Sequence, residues 1–500
     1  MTKLKLSGVS KAYGATLALR RGDLELDSGE VHVLIGANGS GKSTLCKIVA
    51  GSVRPDAGEV LLDGRAVTVS GPRAAQALGI GIFYQELSLA DHRSVAENIC
   101  LPDLPRQNGL FIDRTALRAE AERYIALFET VAGAALQADT IVGDLRADQR
   151  QLVEIMKALA TEAPILIFDE PTSALDRAQV DRFFEILRDL KSKGRSIVFI
   201  SHRMDEIFAI GDRVTVIRDG ETVGTTTISE TSPDAVIHMM VGEQETLATP
   251  QAAPPIHAPS TDIALKVEGL TGAGFHEVSF AVGRGEILGL GGLHGQGQSA
   301  ILKALFGAVA PRSGEVKLAG ERLRIDSPRS AIAQGLAYVS GDRGRDGVIS
   351  GRPILENVTP IHALRNRLLL ARPGRLAEKA LPALKALNTK FAGLSHSIGS
   401  LSGGNQQKIV IARWLIDKPD ILLLDDPTKG IDLSAKADLF ALIRELAAEG
   451  LAIVLYSSED AELLNNADRI LVFNGGSVSR ELSGAERTRY NLYQAAYEAA

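Results

Sequence analysis

The feature that most constrains this chain is that it is written twice. "GANGSGKST" begins at Gly36 and "GLHGQGQSA" at Gly292; "DLRADQRQLVEIMKAL" begins at Asp144 and "SLSGGNQQKIVIARWL" at Ser400; "ILIFDEPTSALD" begins at Ile165 and "ILLLDDPTKGID" at Ile421. Each pair lies 256 positions apart, and one offset held over three blocks marks a tandem duplication. The two halves span residues 1–240 and 263–500. Residues 241–262 join them and include "ATPQAAPPIHAPSTD", whose four prolines among small and polar residues read as an exposed linker. A length of 500 residues, too long for one hydrophobic core, agrees with that division.

Each half reads as α/β. "EVHVLIG" and "EILGLGG" are short apolar runs ending in glycine, as buried strands do. "KSTLCKIVAG" and "QSAILKALFG" follow with helical spacing and a glycine stop. "APILIFDEP" and "PDILLLDDP" are apolar strands ending in carboxylates, and "RSIVFISH" and "LAIVLYSS" add a further strand to each half. Apolar strands alternating with helices imply a mainly parallel sheet with helices in each half.

The first half carries a complete phosphate-binding loop, Gly36 to Ser43, between a strand and a helix. Gly36, Gly39 and Gly41, with Asn38 and Ser40, let backbone N–H groups curl around phosphate oxygens, and the helix N-terminus adds a favourable field. Lys42 offers a positive charge to the β- and γ-phosphates, Ser43 offers a hydroxyl to Mg²⁺, and Thr44 continues the loop into the helix. Asp169, ending "LIFD", can hold Mg²⁺ through water, and Glu170 beside it can polarise an attacking water. His202, at the end of "FISH", is placed to contact a γ-phosphate, and Gln85 in "IFYQE" suits a metal or water contact. Taken singly, a histidine after a strand or a carboxylate pair is more often structural; the upstream loop and the downstream "PTSALD" reverse that preference.

These motifs, in this order, resemble the ATP-binding subunits of ABC transporters, most closely the tandem-domain ATPases of bacterial ribose, galactose and xylose importers. The resemblance covers nearly the whole chain, twice. It implies two tandem P-loop ATPase domains, each a mainly parallel sheet core with helices, an antiparallel β subdomain and a helical subdomain. It implies ATP and Mg²⁺ as ligands, Tyr13 stacking on the adenine, Gln85 in a loop touching the membrane subunits, and Asp176 at the interface of the halves. It also implies composite sites, in which the loop of one half is completed by the signature of the other.

Paired that way, the first site joins Lys42, Ser43, Gln85, Asp169, Glu170 and His202 to Ser402, Gly403, Gly404 and Gln406 of "LSGGNQ", and it looks complete. The second does not. Lys42 corresponds to Gln298, Thr44 to Ala300, Gln85 to Gly341, Glu170 to Asp426 and His202 to Ser458. The facing signature, "LRADQ", puts Arg146 at the serine position and Asp148 at a glycine position, where bulk and negative charge oppose a polyphosphate. Gly292, Gly295, Gly297, Ser299 and Asp425 are retained, so nucleotide binding without hydrolysis stays open.

Composition narrows the setting. A net charge of −6 argues against a nucleic-acid partner. Two cysteines, Cys46 and Cys100, form no disulfide framework and suit a reducing compartment. The start "MTKLKLSGVSKAYG" lacks the apolar run of a signal peptide, and no stretch of about 18 apolar residues occurs. With the resemblance, the expectation is a peripheral subunit on the cytoplasmic face of the inner membrane. Two transmembrane permease subunits would be its direct partners, and a periplasmic solute-binding protein an indirect one. A soluble tandem ATPase acting on ribosomes, and an importer of nucleosides or polyols, stay open as alternatives.

Overall fold

The computed structural model describes residues 2–14, 16–37, 39–84, 87–107, 111–242, 262–368, 372–387, 389–429, 431 and 433–497. Asn38, Gln85 and residues 243–261 of the expected linker lie outside the described residues. The chain divides into two compact units, Met1–Glu243 and Gln244–Ala500. The helix Pro233–Val241 runs one residue into the stretch expected to be linker, and Val241 is buried.

In the first unit one sheet holds ten strands. Its parallel part orders Arg213–Arg218, Val31–Ile35, Ser196–Ile200, Ile165–Asp169 and Ile80–Phe83. Ile165–Asp169 and Ser196–Ile200 are buried along their whole length, which is why they read as unbroken apolar runs rather than alternating ones. The antiparallel part begins with the hairpin Thr2–Tyr13 and Thr16–Asp27, flanked by Ala57–Leu62 and Arg65–Val67. A short seam joins the two parts: Arg20 and Arg21 both donate their N–H to the Gly220 carbonyl, at 2.7 and 3.0 Å, and Glu221 pairs with Arg21.

A helical layer fills the chain between Ile80–Phe83 and Ile165–Asp169. Val95–Ile99 starts with a reciprocal capping box between Ser94 and Glu97, and Arg114–Ala126 is capped by the Asp113 carboxylate. Both pack with Ala147–Leu159 on a core that includes Phe128, Leu152, Met156 and Phe168. Each half was expected to be a mainly parallel sheet with helices, an antiparallel β subdomain and a helical subdomain, and the first unit has all three.

The second unit repeats the plan with its two sheets separate. Four antiparallel strands include Ile263–Gly272 and Phe275–Gly283. A six-stranded sheet orders Leu336–Val339, Ile421–Asp425, Ala452–Tyr456, Ile287–Gly292, Arg469–Asn474 and Ser477–Ser483. The backbone bond matching the first unit's seam runs from His276 N–H to the Gly476 carbonyl, at 2.8 Å. In both units the glycine-rich loop leaves a central parallel strand at its carboxyl end, where such sheets place ligands. No helix among the described residues is long and apolar enough to cross a membrane.

Candidate functional site

The loop after Val31–Ile35 is shaped by its glycines. A Cβ on Gly36 would lie 2.1 Å from the Ile217 carbonyl oxygen, so the chain passes where only glycine fits. Gly41 has φ 108° and caps the helix Lys42–Val49 from a left-handed conformation. Inside the loop, the buried Lys42 ammonium donates to the carbonyls of Gly36 (2.7 Å) and Ala37 (2.9 Å). Burial lowers its pKa, opposed by the charges of Glu170 and Asp169. Ser40 presents a buried hydroxyl with no hydrogen-bond partner, a costly state that a phosphate oxygen would relieve.

Asp169 ends its strand beside the loop, where the Ser43 hydroxyl favours its charged form. Burial, then the neighbouring charge of Glu170, raises its pKa to about 6, while Lys42 and Ser43 pull the other way. The oxygens of Ser43 and Asp169, next to a buried cation and an orphaned hydroxyl, fit a Mg²⁺–triphosphate. Glu170 holds the left-handed backbone conformation, φ 53°, and its N–H donates to the Ile200 carbonyl at 3.0 Å. That bond ties the ends of adjacent strands, and His202 Nδ1 lies 3.4 Å from Glu170 Oε1. The structure therefore brings Lys42, Ser43, Asp169, Glu170 and His202 together. Thr44 lies half-buried in the first helical turn. Tyr13 stands exposed at the tip of its hairpin, paired with Thr16, and Gly39 has φ 77°. Asp176 caps the helix Arg177–Ser192 by accepting from the Gln179 N–H.

The second unit keeps much of this backbone and changes its chemistry. Gly297 (φ 110°) and Asp426 (φ 54°) match Gly41 and Glu170 in torsion. Gln298 donates its amide to the carbonyls of Gly291 and Leu293, both at 3.0 Å. A neutral amide thus takes over the tie that Lys42 makes, reaching one carbonyl earlier because it is shorter. Ser299 donates to one oxygen of Asp425, and the Tyr338 hydroxyl donates to the other at 2.6 Å. Burial and the Asp425 charge push Tyr338 upward in pKa, keeping it a neutral donor. Its ring stacks on Phe306 at 5.1 Å. Both oxygens that would serve a metal are engaged, so these residues fit Mg²⁺ poorly. Asp426 accepts from both the N–H and the hydroxyl of Ser458 at 3.1 Å, and His294 bonds the Tyr456 hydroxyl at 2.9 Å. A Cβ on Gly341 would lie 2.8 Å from the Asp425 carbonyl, leaving no room there for a side chain like that of Gln85.

The two signatures also differ. Ser402 precedes the helix Gly403–Leu415; its hydroxyl accepts from Asn405, whose carbonyl accepts from the Lys390 N–H at 3.0 Å. Asn405 thereby holds the serine in place. Gly404 is buried in the first turn, and Gln406 turns back to the Leu401 carbonyl. Arg343, 60 residues upstream, donates to the Gly403 carbonyl at 2.9 Å. In the first unit, Asp148 pairs with Arg146 at 2.8 Å and accepts from Gln179. Asp148 is therefore a charge paired with Arg146, where the sequence suggested an open negative one.

Sequence reasoning missed Tyr338, Tyr456, His294 and Arg343. The signal was present for three of them, because the 256-residue offset sets Tyr338 against Ile82, Tyr456 against Ile200 and His294 against Asn38.

A doubly wound sheet with a glycine loop, a strand-end Asp–Glu pair and a histidine one strand over defines a nucleotide-triphosphate-hydrolysing cassette. Residues 19–173 and 275–429 each match the ABC transporter family, and the chain belongs to that family as an ATPase with two copies of the cassette. It is 43% identical to the putative ribose/galactose/methyl galactoside import ATP-binding protein 1 of Burkholderia lata, over 99% of this chain and 96% of that one. It is 41% identical to the ribose import ATP-binding protein RbsA of Chromobacterium violaceum, over 99% and 97% of the two chains. A third relative, the ribose import ATP-binding protein RbsA of Jannaschia sp., is 40% identical over 97% and 92%.

Proposed function

We propose that this ATPase powers import of a monosaccharide or a related small polar solute, with hydrolysis confined to the first cassette. One observation carries the asymmetry. The first loop holds a buried lysine with a glutamate–histidine pair beside it, whereas the second holds a neutral Gln298, an Asp425 whose two oxygens both accept hydroxyls, and an Asp426 bonded to Ser458. The names of the ribose and galactose import relatives support the solute class.

In this reading Gly36, Asn38, Gly39, Ser40, Gly41 and Thr44 cradle the phosphates and Tyr13 packs on the base. Lys42 neutralises phosphate charge, Glu170 accepts a proton from the attacking water, and His202 orients Glu170 and meets the γ-phosphate. Ser43, Asp169 and Gln85 would hold Mg²⁺, which when bound supplies charge neutralisation to the β- and γ-phosphates. Ser402, Gly403, Gly404 and Gln406 are the signature residues that the family resemblance assigns to a site of this kind. The chain acts peripherally at the cytoplasmic face of the inner membrane, against two permease subunits that receive solute from a periplasmic binding protein.

Replacing Glu170 by Gln removes the base and keeps the side-chain volume. Turnover should fall by at least about 10²-fold while ATP still binds. Asp426→Asn, by contrast, should leave turnover within about two-fold, since that carboxylate is already spent on Ser458. Full turnover in the Glu170 variant would refute the assignment, and loss of turnover in the Asp426 variant would refute the asymmetry.

A further inference from the structure

We propose that Glu206 is a positioning residue for hydrolysis, acting as a bracket that holds the Glu170 turn against the His202 turn; this rests on the first cassette being the hydrolysing one. Glu206 lies in the first turn of the helix Met204–Ile210 and is 1% exposed. Its Oε2 accepts from the Thr172 hydroxyl at 2.8 Å and from the Ser201 hydroxyl at 2.6 Å. Thr172 stands two residues after Glu170, and Ser201 stands immediately before His202. Ser201 Oγ also accepts from the Arg203 N–H, and Arg203 Nη1 lies 3.2 Å from Glu206 Oε1. One carboxylate therefore fixes both turns that carry the reacting side chains.

The bracket has work to do because the Glu170 backbone is held in a left-handed conformation that a glutamate does not adopt freely. Such a residue persists only where its surroundings over-determine it. Here the restraints are the Glu170 N–H bond to Ile200, the Gln151 amide on the Pro171 carbonyl at 2.7 Å, and the Glu206 bond to Thr172. Releasing the last lets the turn relax and moves the Glu170 carboxylate relative to His202.

The duplication supplies a matched counterpart. Glu462 accepts from Thr428 at 2.7 Å and Ser457 at 2.5 Å, with Lys436 3.1 Å from its other oxygen. It brackets Asp426 and Ser458, the pair to which no turnover is assigned. A purely structural role would make Glu206 and Glu462 equivalent; a positioning role makes them unequal.

Steady-state ATPase kinetics on the full chain decide between these. Glu206→Ala should lower kcat by about 10²-fold, the scale of an ångström-sized misplacement, with KM within about three-fold. Glu206→Gln keeps an oxygen able to accept both hydroxyls and should recover kcat to within about five-fold. Glu462→Ala, losing the same bonds in the copy, should lower the melting temperature as much as Glu206→Ala and leave kcat within about two-fold. If Glu206→Ala fails to fold, Thr172→Val and Thr428→Val repeat the comparison, with about ten-fold loss expected in the first only. Equal kcat losses in the two copies, an effect on KM alone, or no rescue by Gln overturns the proposal. Undiminished turnover in Glu170→Gln, measured alongside, would instead remove the reading on which it rests.

Discussion

Replacing Lys42 by Gln performs in the first loop the change that the second already carries. Lys42 Nζ bonds two loop carbonyls at 2.7 and 2.9 Å, and Gln298 Nε2 bonds two at 3.0 Å. The shorter side chain reaches its pair because the peptide at Gly292 turns to φ 109°, and Gly36, being glycine, is free to follow. The fold therefore keeps two ties and loses one buried cation whose burial is itself unfavourable. Stability without nucleotide should stay within about 1 kcal/mol. Turnover should not survive so well. Removing one stabiliser of developing charge costs about 10²–10³ in rate, or roughly 3–4 kcal/mol. Phosphate release and urea denaturation of the same preparation give both numbers. Turnover above about a tenth of the starting value, or a stability loss beyond about 3 kcal/mol, would refute the argument that the lysine serves phosphate rather than the loop.

Two further outcomes follow from single contacts. Tyr338→Phe keeps the ring on Phe306 and deletes the bond to Asp425; urea denaturation should show a loss of about 1–2 kcal/mol with ATPase activity unchanged. Asp148 sits at a pKa of about 2, below the ordinary 3.8, because Arg146 and Gln179 hydrogen-bond its charged form. A depressed carboxylate contributes stability that is present above about pH 4 and lost as pH falls through 2. Because Arg146 is exposed, screening reduces that contribution to about 1 kcal/mol, so Asp148→Asn should cost this much at pH 6 and progressively less as pH falls towards 2.

The loop was legible because its chemistry is local. Gly36, Gly41, Lys42 and Ser43 sit within eight residues, and the strand-end carboxylates announce themselves as charges closing an apolar run. The parallel strands were legible for the same reason, since burial on both faces leaves no polar alternation. What escaped depends on partners brought together by the fold. Tyr338 reaches Asp425 across 87 positions, Arg343 reaches Gly403 across 60, and Glu206 joins Thr172 to Ser201 across a strand pair. The pairing of Asp148 escaped for a subtler reason. Its charge was weighed against an absent phosphate, while the arginine two residues away, free to fold over the helix start, already neutralised it.

The seam in the first unit has a consequence for how a ligand is received. Arg20, Arg21 and Glu221 stitch the hairpin that ends at Tyr13 into the same sheet that launches the Gly36–Ser43 loop. A ligand long enough to span hairpin and loop lands on one preorganised body, and little ordering entropy is surrendered in bringing its two ends together. In the second unit the bond from the His276 N–H to the Gly476 carbonyl makes the equivalent tie between the two sheets. Both copies thus offer a braced frame, and they differ as receivers in charge, Lys42 in one and Gln298 in the other.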